Sequence, residues 1–233
     1  MQHRIMKLVC SIRSLVLLVG FLLVVQRTNA QDRIPITFGI HLNPTLQIPG
    51  KNGAITETNG NKAGFNYGFD IHYQWKAQMA FTAGIHHALN RVDVDFNINQ
   101  GAYAELDYDV RFQQVRIPLG FKLQTKQLGY MQYYVHGFLN PSFTVQERIA
   151  DSTNILSDHR PRGDSKIIRP ANMGFGFGVG CDYEVLPRRF ISIGMRYENS
   201  LVNHFRKTGQ FQEYLSGNRV SMNYLSLFLG FRF

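Results

Sequence analysis

The stretch Phe65-Asn66-Tyr67-Gly68-Phe69-Asp70-Ile71-His72-Tyr73-Gln74-Trp75 decides the class of this chain. Its odd positions are all aromatic or aliphatic, and its even positions are all polar or glycine. A strand sends successive side chains to opposite faces, so this alternation describes a strand with one apolar and one polar face. The pattern recurs in seven other segments: Ile36–Leu42, Met79–Ile85, Val115–Leu123, Met131–Leu139, Met173–Val185, Ile191–Tyr197 and Leu225–Phe233. No segment shows the periodicity of an amphipathic helix. The connections alternate in length. Segments 48–63, 91–108, 150–171 and 204–218 are long, and 76–78, 125–129 and 186–189 are short. Eight strands joined long, short, long predict an all-β, antiparallel up-and-down meander with its tight turns at one end.

Composition narrows the class further. The 233 residues are 13% aromatic and 18% charged, too apolar for a disordered tail. Two cysteines exclude a disulfide scaffold and a four-thiolate zinc site. The formal charge of +9 raises a nucleic-acid partner, but the chain has no basic helix and no aromatic-basic surface motif, so none is expected. The N-terminus reads as a secretory signal. Arg4, Lys7 and Arg13 precede an apolar run, Leu15–Val25, which is shorter than the ~20 residues of a spanning helix. Thr28-Asn29-Ala30 predicts cleavage after Ala30, so 1–30 is the expected signal and 31–233 the barrel domain. Cys10 does not suit lipidation, because Val9 is too large and the apolar run follows the cysteine. Cleavage would remove Arg4, Lys7, Arg13 and Arg27 and no acid, taking +9 to +5. Cys181 would then stand alone, buried or lipid-facing, with no disulfide partner.

Alternation alone fits two kinds of barrel. A soluble lipid carrier turns its apolar face inward, whereas an outer-membrane barrel turns it toward lipid. Four features point to the membrane. The strands suffice for the 9–11 residues of a tilted crossing. Aromatics gather at strand ends, with Tyr73, Trp75, Tyr130 and Phe190 near the short turns and Phe65, Tyr67, Phe112 and Tyr197 toward the long loops. Gly174, Gly176, Gly178 and Gly180 occupy one polar face, leaving room in a narrow lumen for side chains such as Tyr134 and Phe228. Leu229, Phe231 and Phe233 end the chain in an alternating pattern that is similar to the insertion signal of bacterial outer-membrane proteins.

The polar face carries balanced charge. Asp70, Asp182, Glu184 and Glu198 stand against Arg116, Lys122, Arg196 and Arg232. Buried charges need partners, so this set predicts a plugged, salt-bridged lumen.

Several residues invite sharper chemistry. His41, His72, His86 and His136 fall on the lumen face and could form a metal or proton-transfer cluster with Asp70, although lumenal hydrogen bonding is the simpler reading. Asp107, Asp109, Ser200 and His204 are candidates for a rim-site enzyme. Asp93, Asp95, Asn97 and Asn99, with Glu105, Asp107 and Asp109, could bind calcium, against the simpler reading of a solvated acidic loop. Arg162-Gly163-Asp164 spells an adhesion tripeptide that a turn explains as well. Arg160, Arg162, Lys166 and Arg169, with His204, Arg206, Lys207 and Arg219, could meet lipopolysaccharide phosphates.

The Val115-Arg116-Ile117-Pro118-Leu119-Gly120-Phe121-Lys122 strand, the Leu229-Gly230-Phe231-Arg232-Phe233 ending, the signal and the eight strands together resemble the PorT-type outer-membrane β-barrel family of Bacteroidetes-like bacteria. The resemblance spans the mature chain. It implies a small barrel, and the family's namesake is associated with type IX protein secretion. No shared catalytic motif carries over. The expectation is an eight-stranded antiparallel transmembrane β-barrel with long extracellular loops, short periplasmic turns and a periplasmic N-terminus. It would be monomeric, non-enzymatic and without cofactor or metal. Its role would be structural, adhesive or accessory to secretion at the cell surface. Its partners would be outer-membrane lipid, lipopolysaccharide, the barrel-assembly machinery and secretion-system components. A rim-site enzyme acting on lipid or peptide and a soluble lipocalin-like carrier stay open as alternatives.

Overall fold

The computed structural model describes residues 35–50, 56–58, 60–98, 104–151, 168–204 and 221–233. The expected signal segment 1–30 and its cleavage point at Ala30 lie outside the described residues. The strands are β1 (Ile36–Gly50), β2 (Thr56–Thr58), β3 (Lys62–Lys76), β4 (Met79–Ile98), β5 (Ala104–Arg116), β6 (Leu119–Gln124), β7 (Met131–Asp151), β8 (Ala171–Leu186), β9 (Arg189–Ser200) and β10 (Ser221–Arg232). β5 and β6 are one stave interrupted at Ile117-Pro118. Pro118 has no N–H to give the ladder, and Pro141 sits opposite Ile117, where its carbonyl accepts from the Ile117 N–H at 2.9 Å. With β5 and β6 counted together and the short β2 set aside, eight antiparallel staves remain.

The ring closes where β1 pairs with β10. Phe38 pairs with Ile71, Ile71 with Ala83, Ala83 with Leu119, Leu119 with Leu139, Leu139 with Phe175, Phe175 with Asn199, Asn199 with Asn223, and Asn223 with Ile48. One circuit therefore returns to β1 ten residues beyond its start, a shear of ten for eight strands. With ~3.3 Å per residue and ~4.8 Å between strands, the strands tilt by about 40° and the Cα radius is about 8 Å. Such a lumen is filled by side chains.

Burial separates the two faces. His41, Asn43, Thr45 and Gln47 of β1 and the even residues of the other staves, on β7 only as far as Thr144, point inward, among them Asp70, His86, Arg116 and Asp182. The odd residues outside β1 form an apolar exterior, with Ile85 64%, Phe177 59% and Trp75 56% exposed. A soluble carrier needs the opposite arrangement, which removes the lipocalin-like alternative. Among the described residues no helix is long and apolar enough to cross a membrane. Cys181 is a free thiol on the outward face of β8.

Two details depart from the sequence expectation. Phe112 is an inward residue, 1% exposed and paired with Asn90, because β5 keeps the parity set by Gln114 and Arg116. It therefore does not belong to the aromatic girdles, and neither does Phe190, which pairs with the inward Arg232 and lies under its guanidinium. Segment 91–108 is largely strand rather than loop. β4 and β5 pair in unbroken register from His86↔Arg116 to Ile98↔Ala104, and β2 adds to the edge of β4 at Thr56↔Phe96. About ten residues cross a ~25 Å apolar band at this tilt. β4 has 20 residues and β7 has 21, so both run well past the band and form a ledge at the long-loop end.

The opposite end is compact. β3 turns into β4 at Ala77-Gln78, and β8 into β9 at Pro187-Arg188. Arg188 adopts a left-handed φ of 67° there. The N–H groups of Phe38 and Phe233 each donate to the other residue's carbonyl at 2.8 Å, locking the last residue to the first stave.

Candidate functional site

The lumen is the most densely polar region among the described residues, and it is layered. Nearest the short turns, Asp182 is 0% exposed and takes four donors. Lys122 Nζ lies 2.7 Å and Arg232 Nη2 2.9 Å from its Oδ2. Gln124 Nε2 donates to the same oxygen at 2.9 Å, and Ser192 Oγ to Oδ1 at 2.7 Å. Lys122 Nζ also sits 3.8 Å from the centroid of the Tyr134 ring, and the Arg232 guanidinium 4.4 Å from that of Phe190. Two cations on one carboxylate are tolerable in low dielectric only because the carboxylate and both aromatic faces share their charge.

The middle layer belongs to histidines. His86 Nε2 lies 2.8 Å from Asp70 Oδ1 and His41 Nδ1 2.9 Å from Asp70 Oδ2. The His41 and His86 rings meet edge to face at 4.1 Å. Among the described residues these three form the one group with metal-ligand character, their donor atoms lying within 4.8 Å of one another. His86 Nε2 is hydrogen-bonded to Asp70 Oδ1, whereas His41 Nδ1 makes a close contact with Oδ2 without hydrogen-bond geometry. His136 Nε2 bonds Thr82 Oγ1 at 2.8 Å. Arg196 takes no carboxylate in this layer; its guanidinium lies 3.7 Å from the centroid of the Phe228 ring.

Toward the long loops, Arg116 Nη1 donates to Glu198 Oε2 at 3.2 Å, and Asn140 Nδ2 donates to the same oxygen at 2.8 Å. Gln47 Nε2 donates to Asn90 Oδ1 at 3.0 Å, and Asn90 Nδ2 to Gln114 Oε1 at 3.1 Å. The Arg116 guanidinium stands 4.3 Å over the Tyr224 ring. Glu184 lies apart from these layers, at the short-turn end, where it accepts from the Arg188 N–H and from Gln127. The eight charged residues expected to balance one another are therefore distributed over three lumen layers and one turn.

Close approach explains the glycine face of β8. A Cβ on Gly176 would meet Phe138 Cζ at 2.4 Å, and one on Gly180 would meet the Tyr134 hydroxyl at 2.6 Å. Tyr134 occupies the space expected for it, whereas Phe228 packs beside Gly230 of its own strand. Phe138 was not anticipated from the sequence, because the β7–β8 register that sets it directly opposite Gly176 cannot be read from either strand alone.

The rim candidates divide. Ser200 Oγ lies 3.1 Å from His204 Nδ1, and the Tyr224 hydroxyl 3.2 Å from His204 Nε2. Ser200 Oγ donates to the Val202 carbonyl at 2.9 Å, so its oxygen is left to accept from the imidazole. A nucleophile needs the reverse. Ser200 is 4% and His204 3% exposed, and the recess they line has no room for a water molecule. Burial and the nearby Arg116 hold the His204 imidazole down at about 3, keeping it neutral. Asp109 lies on the outward face of β5, held by Arg91 Nε at 2.8 Å and Arg111 Nη2 at 2.9 Å.

The acidic candidates for calcium pair across β4 and β5, Asp93 opposite Asp109 and Asp95 opposite Asp107. Asp93 bonds Lys62, and Arg91 serves both Asp93 and Asp109. The side chains of Asp95, Asn97, Glu105 and Asp107, and all of Asn99, lie outside the described residues. So do Arg160, Arg162, Gly163, Asp164, Lys166, Arg206, Lys207 and Arg219. Of the residues expected to meet lipopolysaccharide, His204 is buried and cannot contribute to a surface patch. Leu229 and Phe231 face outward, and the Phe231 and Phe233 rings stack at 6.0 Å.

The chain is similar to several solved outer-membrane proteins. OprG, an outer-membrane protein from Pseudomonas aeruginosa, is 15% identical and superposes over 88% of this chain and 99% of its own, with a TM-score of 0.52. Neisserial surface protein A is 12% identical over 85% of this chain and 96% of its own, with a TM-score of 0.45. Ail, the attachment invasion locus protein of Yersinia pestis, solved with a heparin analogue, is 12% identical over 86% and 100%, with a TM-score of 0.39. The likeness to OprG shows a shared fold. No curated sequence matches the chain. The family described as outer membrane protein beta-barrel domain matches residues 29–206. A closed ring of antiparallel staves with an apolar exterior is consistent with that description, and the chain belongs to this outer-membrane β-barrel family.

Proposed function

We propose that this barrel is a sealed, non-enzymatic and monomeric anchor that displays its long connections at the cell surface, with its N-terminus and short turns in the periplasm. The role is accessory to protein secretion, as the PorT-type resemblance implies, or adhesive. One observation carries the reading: the lumen is occupied at every level by mutually bonded side chains, from Asp182 with Lys122 and Arg232 through Asp70 with His86 to Arg116 with Glu198. A sealed lumen offers no route for a solute and no bed for a substrate. What varies above such a scaffold is its loops, where binding residues concentrate.

The test is loop exchange. Segments 152–167 and 205–220 are replaced by short Gly-Ser connections, and heat-modifiable gel mobility confirms folding. The expected result is a strain that matches the deletion strain in secreted-protein yield or surface attachment. Full complementation by the loop-exchanged barrel would contradict the proposal.

A further inference from the structure

A cleft lies on the outside of the barrel, not in its lumen. Its volume is about 520 Å³, and it sits where β3, β4, β5 and β7 leave the apolar band. Arg91 pairs across the sheet with Arg111, and Arg111 with Arg148. All three face outward and are exposed. Cross-strand neighbours stand ~5 Å apart, so the guanidinium groups form a cationic row about 10 Å long. Like charges in register repel, and only part of this row is offset. Asp109 bridges Arg91 and Arg111, and Asp93 lies 3.7 Å from Arg91 Nε. Arg148 meets no carboxylate among the described residues; with its carboxamide turned to suit, Gln146 accepts from Arg148 Nε at 3.0 Å.

The row marks a boundary. One step toward the short turns, the outward residues are Phe65, Leu89, Gln113 and Gln146. The next step brings Tyr67, His87, Val115 and Phe143, of which Tyr67 and Phe143 belong to the exposed apolar exterior. The cleft therefore offers guanidinium forks above, carboxamides at its level and, below, a wall that is apolar apart from His87. That order matches an amphiphile with phosphates on a polar head and acyl chains beneath. Guanidinium groups bind phosphate oxygens in pairs.

We propose that this cleft holds the phosphorylated headgroup of a lipid A-type glycolipid of the outer leaflet, with its acyl chains along Phe65, Leu89 and Phe143. A headgroup with two separated phosphates suits a row of three arginines better than a single phosphate does. The assignment to the outer leaflet rests on the proposed orientation, with short turns in the periplasm.

The test uses the full barrel refolded in neutral detergent, titrated with lipid A, phosphatidylglycerol or inorganic phosphate. Wild type and the distant Arg189→Ala are expected to bind lipid A alike and more tightly than the other two probes. Arg111→Ala/Arg148→Ala should weaken lipid A binding on the order of tenfold or more, with Arg111→Lys/Arg148→Lys between the two. Unchanged binding by the double alanine variant overturns the proposal. So does equal affinity for phosphatidylglycerol or phosphate. Heat-modifiable mobility of each variant separates lost binding from lost folding. In parallel, Ala77→Cys in a Cys181→Ser background is exposed to an impermeant maleimide on intact cells. Labelling only after permeabilisation supports the outer-leaflet assignment, and labelling of intact cells overturns it.

Discussion

Replacing Asp182 by alanine removes the acceptor that joins four staves, since β6 supplies Lys122, β9 supplies Ser192, β10 supplies Arg232 and β8 supplies the aspartate itself. Both cations would remain in the lumen, where Lys122 is 4% and Arg232 5% exposed. Breaking one buried ion pair costs about 3–5 kcal/mol, because the surviving charge stays desolvated. Two cations lose their counter-charge here, and Gln124 and Ser192 each lose a neutral hydrogen bond of ~1 kcal/mol. The Tyr134 and Phe190 faces retain part of the cations' stabilisation. The expected loss is therefore about 4 kcal/mol or more. The assay is urea unfolding of the barrel from lipid vesicles, followed by the fluorescence of Trp75, the chain's one tryptophan. Asp182→Asn keeps the shape and one acceptor, and should fall between wild type and alanine. Lys122→Met combined with Asp182→Leu removes one stranded cation and should recover part of the loss. A cost below about 1 kcal/mol for Asp182→Ala would refute the claim that this layer is desolvated and mutually bonded.

Gly176→Ala drives a Cβ to 2.4 Å from Phe138 Cζ and should destabilise the barrel by about 1–3 kcal/mol, with Phe138→Leu restoring part of it in the same unfolding assay. His204 lies past the end of β9 and is held neutral to about 3, whereas an unfolded histidine titrates near 6.5. The unfolded chain therefore binds the extra proton as pH falls. The contribution is complete above pH 6.5 and is lost progressively below it. The urea midpoint should accordingly drop between pH 6.5 and 4.5 by more in wild type than in His204→Gln. Deleting Phe233 removes both its bonds to Phe38 and the terminal aromatic, so outer-membrane yield in cells should fall further than refolding yield in detergent. Quantitative fractionation beside in vitro refolding measures the two.

The ring was legible because period two is a local property. The Phe65–Trp75 run, the Met173–Val185 run and the terminal Leu225–Phe233 run each declare two faces without reference to any neighbour. The lumen site was legible only as a set of residues. Which cation meets Asp182, or that Arg196 stacks on Phe228 instead of finding an acid, depends on the register between strands, which no single strand carries. Phe112 was misplaced because an aromatic near a strand end suggests a girdle, although its even parity on β5 already put it inside. Arg91 and Arg111 share the outward parity of Leu89 and Gln113 and could have been found by extending the alternation upward. Arg148 could not. The register of β7 against β5 shifts between Gln113↔Gln146 and Gln114↔Thr144, which turns the even residue Arg148 outward. A bulge leaves no mark in the alternation of a single strand.

Conductance of the purified barrel in a planar bilayer tests the sealed lumen most directly. The ion-paired layers around Asp182 and Glu198 predict no stable current steps at any salt concentration that leaves the barrel folded. Steady ohmic steps from the wild-type protein, altered in size by Asp182→Ala, would show a continuous aqueous path through those layers and contradict the account.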